Sequence, residues 1–274
     1  MTALNHMLNL LFDLGMRPLS RLGPWPAMVV ISLVSTVLLL LVFKHTSNQK
    51  ALRRRKNAAT ARLLEFALFK NDPVVNLGAF PRAMAAIGAY LGHLLAPLLI
   101  TFVPTALLLI QMACWFEYRP LSAGKTTLLT VRLSPDSDPL QPAMTLTPSP
   151  QLAVEAGPVR IPSLREVSWR LRVRDGAPAW VDLAAAGQTV RKAVAAGPGL
   201  QRVSPLRPGP GFQDQLLNPS ESPLPAGSAI RAIEVLHPEA ELRMGSARLH
   251  WLVVFLALSL GFGLILLKPL RMTV

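Results

Sequence analysis

The sequence predicts a membrane α-helical protein: three transmembrane helices plus interfacial helices, with an inserted extracytoplasmic β-sandwich-like domain. Three observations predict it. Hydrophobic residues make up 51% of the 274 residues, but they stand in blocks near both ends instead of spreading as a soluble core would spread them. Tryptophan marks one end of each block, and Lys or Arg marks the opposite end of two of them. The chain between the second and third blocks turns to short alternating runs punctuated by Pro and Gly.

Residues 1–22 begin with an amphipathic stretch over 3–14. Leu4, Met7, Leu8 and Leu11 share one helical face, and Asn5, Asn9 and Asp13 interrupt the others. It is too short and too polar to span, so an interfacial helix is expected. Gly15, Pro18, Gly23, Pro24 and Pro26 then break the chain. The region 23–43 holds the first span: residues 27–43 are 17 in number and uncharged, at the lower limit for crossing. No basic n-region precedes them and no small-x-small site follows, so no cleavable signal peptide is expected.

Residues 44–97 are read as a basic helical segment followed by an interfacial helix over 83–96. Within 44–82 stand nine Lys/Arg against Glu65 and Asp72. Gly88 and Gly92 give the interfacial helix a small-xxx-small pair for close packing. Pro97 and Pro104 predict breaks or kinks, and 98–116 is the second span. Trp251 opens the third span, assigned to 250–268, and Lys268 and Arg271 close it ahead of a cytoplasmic tail at 269–274. If the basic loop is cytoplasmic, Trp25, Trp115 and Trp251 all fall at the outer interface as an aromatic belt. Lys44, Lys268 and Arg271 then fall inside, so two independent signals give one orientation.

The outer region, 117–249, shows strand patterns at 126–133, 144–147, 159–161, 167–173 and 230–236. In 166–175, Val167, Trp169, Leu171 and Val173 face one way; Ser168, Arg170, Arg172 and Arg174 face the other. That is a half-buried antiparallel strand, and about 130 residues of such pattern suit a small β-sandwich. Residues 198–225, dense in Pro and Gly, predict a long surface loop.

Several function classes are excluded. The net charge of +13 could suggest nucleic acid, but much of it sits in one short loop between apolar segments. Topology and anionic lipid explain that better than a groove for DNA. Cys114 is the single cysteine, so neither a disulfide framework nor a Cys-based metal site is expected; it reads as a small buried hydrophobe. The run Ser-Ala-Gly-Lys-Thr-Thr at 122–127 lacks the upstream glycine of a phosphate loop, which is Arg119 here, and leads into a strand. His6, His45, His93, His237 and His250 are scattered, and no nucleophile elbow occurs. No enzyme, no cofactor and no metal site is expected.

Polar residues inside the spans are the candidate site. Ser32, Ser35 and Thr36 share one face of the first span; Thr101 and Thr105 share one face of the second, with Gln111 further outward; Ser259 lies in the middle of the third. Two readings stand: hydrogen bonds between helices, or one wall of a shallow hydrophilic groove. The run Arg53, Arg54, Arg55 and Lys56 is a candidate lipid or ribosome contact.

This arrangement resembles the Oxa/YidC/Alb superfamily of membrane-protein insertases, in its three-span branch. That branch includes small archaeal insertase-like proteins and the third subunit of the endoplasmic-reticulum membrane complex. The resemblance covers roughly 1–116 and the last span. It rests on the interfacial helix, a span entered through Gly-Pro-Trp-Pro (23–26), and the basic helical segment 49–70. Asn71-Asp72-Pro73, an interfacial helix and a Pro-containing span (Phe102-Val103-Pro104) complete it. Bacterial members carry an Arg in the first span, where 27–43 has no charge, and the minimal family core has no outer β domain. The resemblance implies an insertase-like or chaperone-like protein of a bacterial cytoplasmic membrane. Its implied partners are lipids, nascent membrane-protein clients and the ribosome. The alternative is a non-catalytic anchored scaffold that presents the β domain to an envelope protein.

Overall fold

The computed structural model describes residues 2–68, 73–135, 137, 144–185 and 187–270. Lys70, Asn71, Asp72 and Arg271, used in the sequence reading, lie outside the described residues. Six α-helices occur among those described: α1 (Thr2–Ser20), α2 (Pro24–Thr46), α3 (Gln49–Leu68), α4 (Pro73–Phe116), α5 (Phe212–Leu217) and α6 (Trp251–Leu267). Ten strands accompany them: β1 (Thr126–Leu133), β2 (Thr145–Pro148), β3 (Leu152–Ile161), β4 (Glu166–Val173), β5 (Ala179–Ala185), β6 (Gln188–Val194), β7 (Leu206–Arg207), β8 (Ile230–Val235), β9 (Leu242–Met244) and β10 (Ala247–Leu249). The chain forms two compact units, 1–28 with 109–254, and 29–108 with 255–274.

The first unit contains every strand. A five-stranded sheet runs β3-β4-β1-β8-β7, a three-stranded one β2-β5-β6, and β9-β10 form a hairpin. All named strand pairs are antiparallel. Alternation decides which side chains go inward: on β4, Val167, Trp169, Leu171 and Val173 are all buried, as predicted. They join Leu129 and Val131 of β1 and Val181, Leu183 and Val190 of the smaller sheet in one apolar cluster. On the outward face, Arg132 of β1 reaches Glu166 at 3.2 Å and Glu234 at 2.9 Å. That marks the β4-β1-β8 register, although exposed pairs contribute at most about 1 kcal/mol each.

Three expectations for this unit change. The hairpin β5–β6 had no counterpart in the strand reading, because its inward positions include small Ala179 and Ala185 and the polar Lys192. Segment 198–225 is not simply a surface loop: it carries β7 and α5, and Val203 and Leu224 are buried. Helix α1 does not stop at 14 but runs through Gly15 and Pro18 to Ser20. The break falls at Gly23, whose φ of +93° lies in the left-handed region that glycine enters without penalty. Pro24 and Pro26 then open α2, where the missing N–H groups had no partner to lose.

The second unit is helical. Among the described residues two stretches are long and apolar enough to cross a membrane: α2, and Gly78–Phe116 of α4. Helix α6 is as apolar but has 17 residues. The helix boundary expected at Pro97 is absent; α4 continues for 44 residues through Pro81, Pro97 and Pro104. Each proline removes one backbone donor. The rest of the segment is strongly apolar, and the helix runs on through all three. Residues 83–96 are therefore the first part of one continuous α4, beside α3, and not a separate helix. Glu65 of α3 lies 3.7 Å from Arg82 of α4, and Leu52, Ala59, Ala79 and Ala83 are buried. Helices α2 and α6 run parallel: a methyl group on Gly263 would meet the Thr36 methyl at 3.9 Å, and Lys44 Nζ donates to the Leu270 carbonyl at 3.1 Å.

Candidate functional site

The sequence-predicted polar residues divide into two groups. In the helical unit, Ser32, Ser35 and Thr36 are all buried, with relative exposures of 0%, 3% and 6%. Thr36 Oγ1 donates to the Ser32 carbonyl at 2.7 Å, one turn back in its own helix. Thr101 and Thr105 are half-buried and do the same, donating to the Pro97 and Thr101 carbonyls at 2.7 and 2.8 Å. Such back-bonds satisfy a hydroxyl without any neighbour. Ser32 Oγ and Ser259 Oγ are buried without a hydrogen-bond partner. The parallel α2–α6 offset sets these two residues at the same level, as it sets Thr36 beside Gly263. The structure thus brings Ser32 and Ser259 onto one helix pair.

Gln111 belongs elsewhere. It is 1% exposed and sits in the unit that holds the β domain. Its Nε2 donates to Asn9 Oδ1 at 2.9 Å, and its Oε1 accepts from Arg202 Nη2 at 3.0 Å. The same guanidinium donates to Asn9 Oδ1 at 2.8 Å and to Asp13 Oδ1 at 2.9 Å, and it lies 5.9 Å from the Trp115 ring centre. Asn5 and Asn9 also donate to the carbonyls of Gln215 and Pro219, at 2.8 and 2.6 Å. Asn5, Asn9 and Asp13 are spaced i, i+4, i+8, so one stripe of α1 is bonded to segment 198–225. On its other flanks Met7, Leu10, Leu11 and Leu14 remain exposed. Sequence reasoning missed Arg202. The signal was a lone Gln in an apolar helix facing a helix with a polar stripe, since buried amides and carboxylates require partners.

The ends of the apolar helices that belong to the β-domain unit are fastened by similar means. The Val203 amide donates to the Cys114 carbonyl at 2.8 Å, satisfying one of the orphan acceptors at the end of α4. Glu117 accepts from Trp251 Nε1 at 2.6 Å, and Trp25 Nε1 donates to the Arg243 carbonyl at 2.7 Å. Trp25, Trp115 and Trp251, read as one aromatic belt, all stand in the β-domain unit.

Inside that domain Lys192 is fully buried. Its ammonium pairs with Glu221 and donates to the Ser204 and Ala193 carbonyls at 2.6 and 3.1 Å. Burial lowers its pKa, and Glu221 opposes that. His237 Nδ1 lies 2.9 Å from the Val235 carbonyl, while Nε2 is buried without a partner. Burial pushes this imidazole down to about 4, against the Val235 hydrogen bond, and the Lys192 charge pushes the same way.

Arg53, Arg54, Arg55 and Lys56 occupy consecutive exposed positions on α3. The 122–127 run makes a turn with Gly124 at φ +78° and enters β1, so no helix N-terminus is offered to a phosphate. Among the described residues no group of three His, Cys, Asp or Glu could hold a metal ion.

These features define a helix-plus-sandwich protein with two helices able to cross a membrane and a polar network at their β-domain ends. Comparison of the chain with protein-family models, with curated proteins and with solved structures finds no match.

Proposed function

We propose that the chain is an insertase-like or chaperone-like membrane protein that assists membrane-protein biogenesis, with α2, α4 and α6 as its three spans. The observation that carries this is the state of α4. Only 6% of the most apolar window of Gly78–Phe116 is buried within the chain, and Leu91, Leu95, Leu99 and Phe102 are all more than half exposed. In a bilayer such a flank is covered by lipid or by another apolar segment. A client helix leaving a ribosome would meet it beside the basic run 53–56.

The orientation has α3 in the cytoplasm and the β domain outside, in a bacterial cytoplasmic membrane. Two features support it: the three tryptophans keep company with the β domain, and the basic helix belongs to the other unit. A second reading, the anchored scaffold, is favoured by the Arg202 network, which holds the β domain firmly against α1 and the end of α4.

Site-specific photocrosslinkers at Phe102, in cells making pulse-labelled membrane proteins, separate the two. Capture of newly made apolar segments supports the insertase reading. Crosslinks to lipid alone, with normal membrane-protein assembly after depletion, would leave the scaffold. The orientation is checked in a Cys114→Ala background: Ser222→Cys should react with an impermeant thiol reagent in spheroplasts and Asn57→Cys should not.

A further inference from the structure

A pocket of about 490 Å³ lies in the β-domain unit where α2 begins and α4 ends. Its volume falls within the roughly 300–1,000 Å³ usual for small-molecule sites. Trp25, Trp115, Phe116 and Leu242 form its apolar walls. Trp115 is 5% exposed, yet its Nε1 is buried with no hydrogen-bond partner. Buried indole N–H groups ordinarily find an acceptor, and one left unmade costs about 1–3 kcal/mol. The other two tryptophans at these helix ends donate to Arg243 and Glu117, which makes Trp115 the exception. An acceptor oxygen on a bound molecule would complete it.

The rim identifies the rest of that molecule. Arg119 and Arg243 stand there, both exposed. The rim carboxylate, Glu241, already faces Arg248 at 3.6 Å, so the rim is left with an excess of guanidinium. We infer that this pocket binds a phospholipid of the outer leaflet. One acyl chain lies on Trp25, Phe116 and Leu242, an ester carbonyl accepts from Trp115 Nε1, and the phosphate lies beside Arg119 and Arg243. The inference rests on the reading that these helix ends lie at the outer membrane surface; it requires no client and no insertion activity.

The full-length protein, purified from the membrane, is transferred to nanodiscs of phosphatidylglycerol with or without diacylglycerol. Lipid retained after release into detergent is counted by native mass spectrometry. The expected result is one tightly held phosphatidylglycerol per chain, with diacylglycerol held at least about tenfold more weakly. W115F keeps the ring and removes the donor; it should lower retention by about two- to tenfold, the range for one lost hydrogen bond. R119Q/R243Q should weaken phosphatidylglycerol and leave diacylglycerol unchanged. L242W should abolish retention by filling the cavity. If it fails to fold by circular dichroism, the other two variants decide.

Equal retention by the wild type, W115F and R119Q/R243Q overturns the inference. So does a photocrosslinker at Leu242 that captures polypeptide and no lipid in cells. Thiol labelling of Ser222→Cys reports the orientation separately, so loss of lipid binding and failure of the topology are distinguishable.

Discussion

Replacing Arg202 by Leu tests whether the β domain is fastened to α1 and the end of α4 or merely adjacent to them. The guanidinium makes three donations, to Asp13, Asn9 and Gln111, between 2.8 and 3.0 Å. Its side chain is 15% exposed and that of Asp13 is 27% exposed, so the pair is neither dry nor fully screened. Removing one partner of a buried pair costs about 3–5 kcal/mol, because the other charge is stranded. Partial exposure of Asp13 puts this case near the lower end, at about 3 kcal/mol. For a chain of this size that lowers Tm by roughly 6–12 °C. The assay is thermal unfolding of the detergent-purified protein, followed by the intrinsic fluorescence of its tryptophans. R202L is then combined with D13N in a double-mutant cycle. Coupling on the order of 1–2 kcal/mol is expected, within the range for residues in one network. Additive effects, or a Tm change in R202L under about 2 °C, would refute the reasoning and weaken the scaffold reading with it.

Two further outcomes follow from the β domain. Trp169→Ala empties a 3%-exposed position in the core and should destabilise by about 3–5 kcal/mol, seen as a lower denaturation midpoint; a change under 1 kcal/mol would remove Trp169 from the core. His237, held at about 4 in the folded chain against 6.5 when unfolded, is a base whose folded pKa is depressed. Its contribution is therefore complete above pH 6.5 and declines as pH falls through the window from 6.5 to 4. Between pH 7.5 and pH 5 the wild type should lose about 2 kcal/mol more than His237→Phe does. Equal losses in the two proteins would mean that the imidazole is not held neutral by its surroundings.

The legible parts of the fold were those in which one residue pattern has one physical solution. Strand β4 alternates large apolar with polar residues, and only a half-buried strand accommodates that; β1 and β8 are rich in β-branched and apolar residues between turns. The apolar blocks of α2 and α6 were equally plain. At Pro97, where a break or a kink was expected, helix α4 runs on unbroken, since one proline removes a single backbone donor while the flanking apolar residues keep every other helical bond. The hairpin β5–β6 was missed because Ala179, Ala185 and Lys192 do not announce an inward face. Lys192 becomes an inward residue only once Glu221 and the Ser204 carbonyl reach its ammonium from a segment that local sequence marks as a loop. Gln111 was noticed but set among the span hydroxyls; its partners lie 102 and 91 residues away in sequence. Long-range polar pairing is the part of the site that periodicity does not encode.

That pairing also bears on what α1 is for. A helix lying on a bilayer needs one apolar flank and one polar flank, and water usually meets the polar one. Here Asn5, Asn9 and Asp13 are met by Gln215, Pro219, Gln111 and Arg202. The polar flank is spent on the chain's own β domain, while Leu10, Leu11 and Leu14 stay uncovered. A helix built only to float at the interface would not need two successive turns, at Asn9 and Asp13, matched to a guanidinium some 190 positions later, with Asn5 one turn earlier bonded to the Gln215 carbonyl. Consider replacing Asn9 by Leu. The change would extend the apolar flank and favour the bilayer, but it would remove the acceptor shared by Arg202 and Gln111. If α1 is an anchor alone, Asn9→Leu should hold or raise Tm. If α1 is the fixture that orients the β domain, it should lower stability by about 2–3 kcal/mol, read as a fall in Tm, because two buried donors lose their partner. The geometry favours the second outcome, and that measurement decides between them.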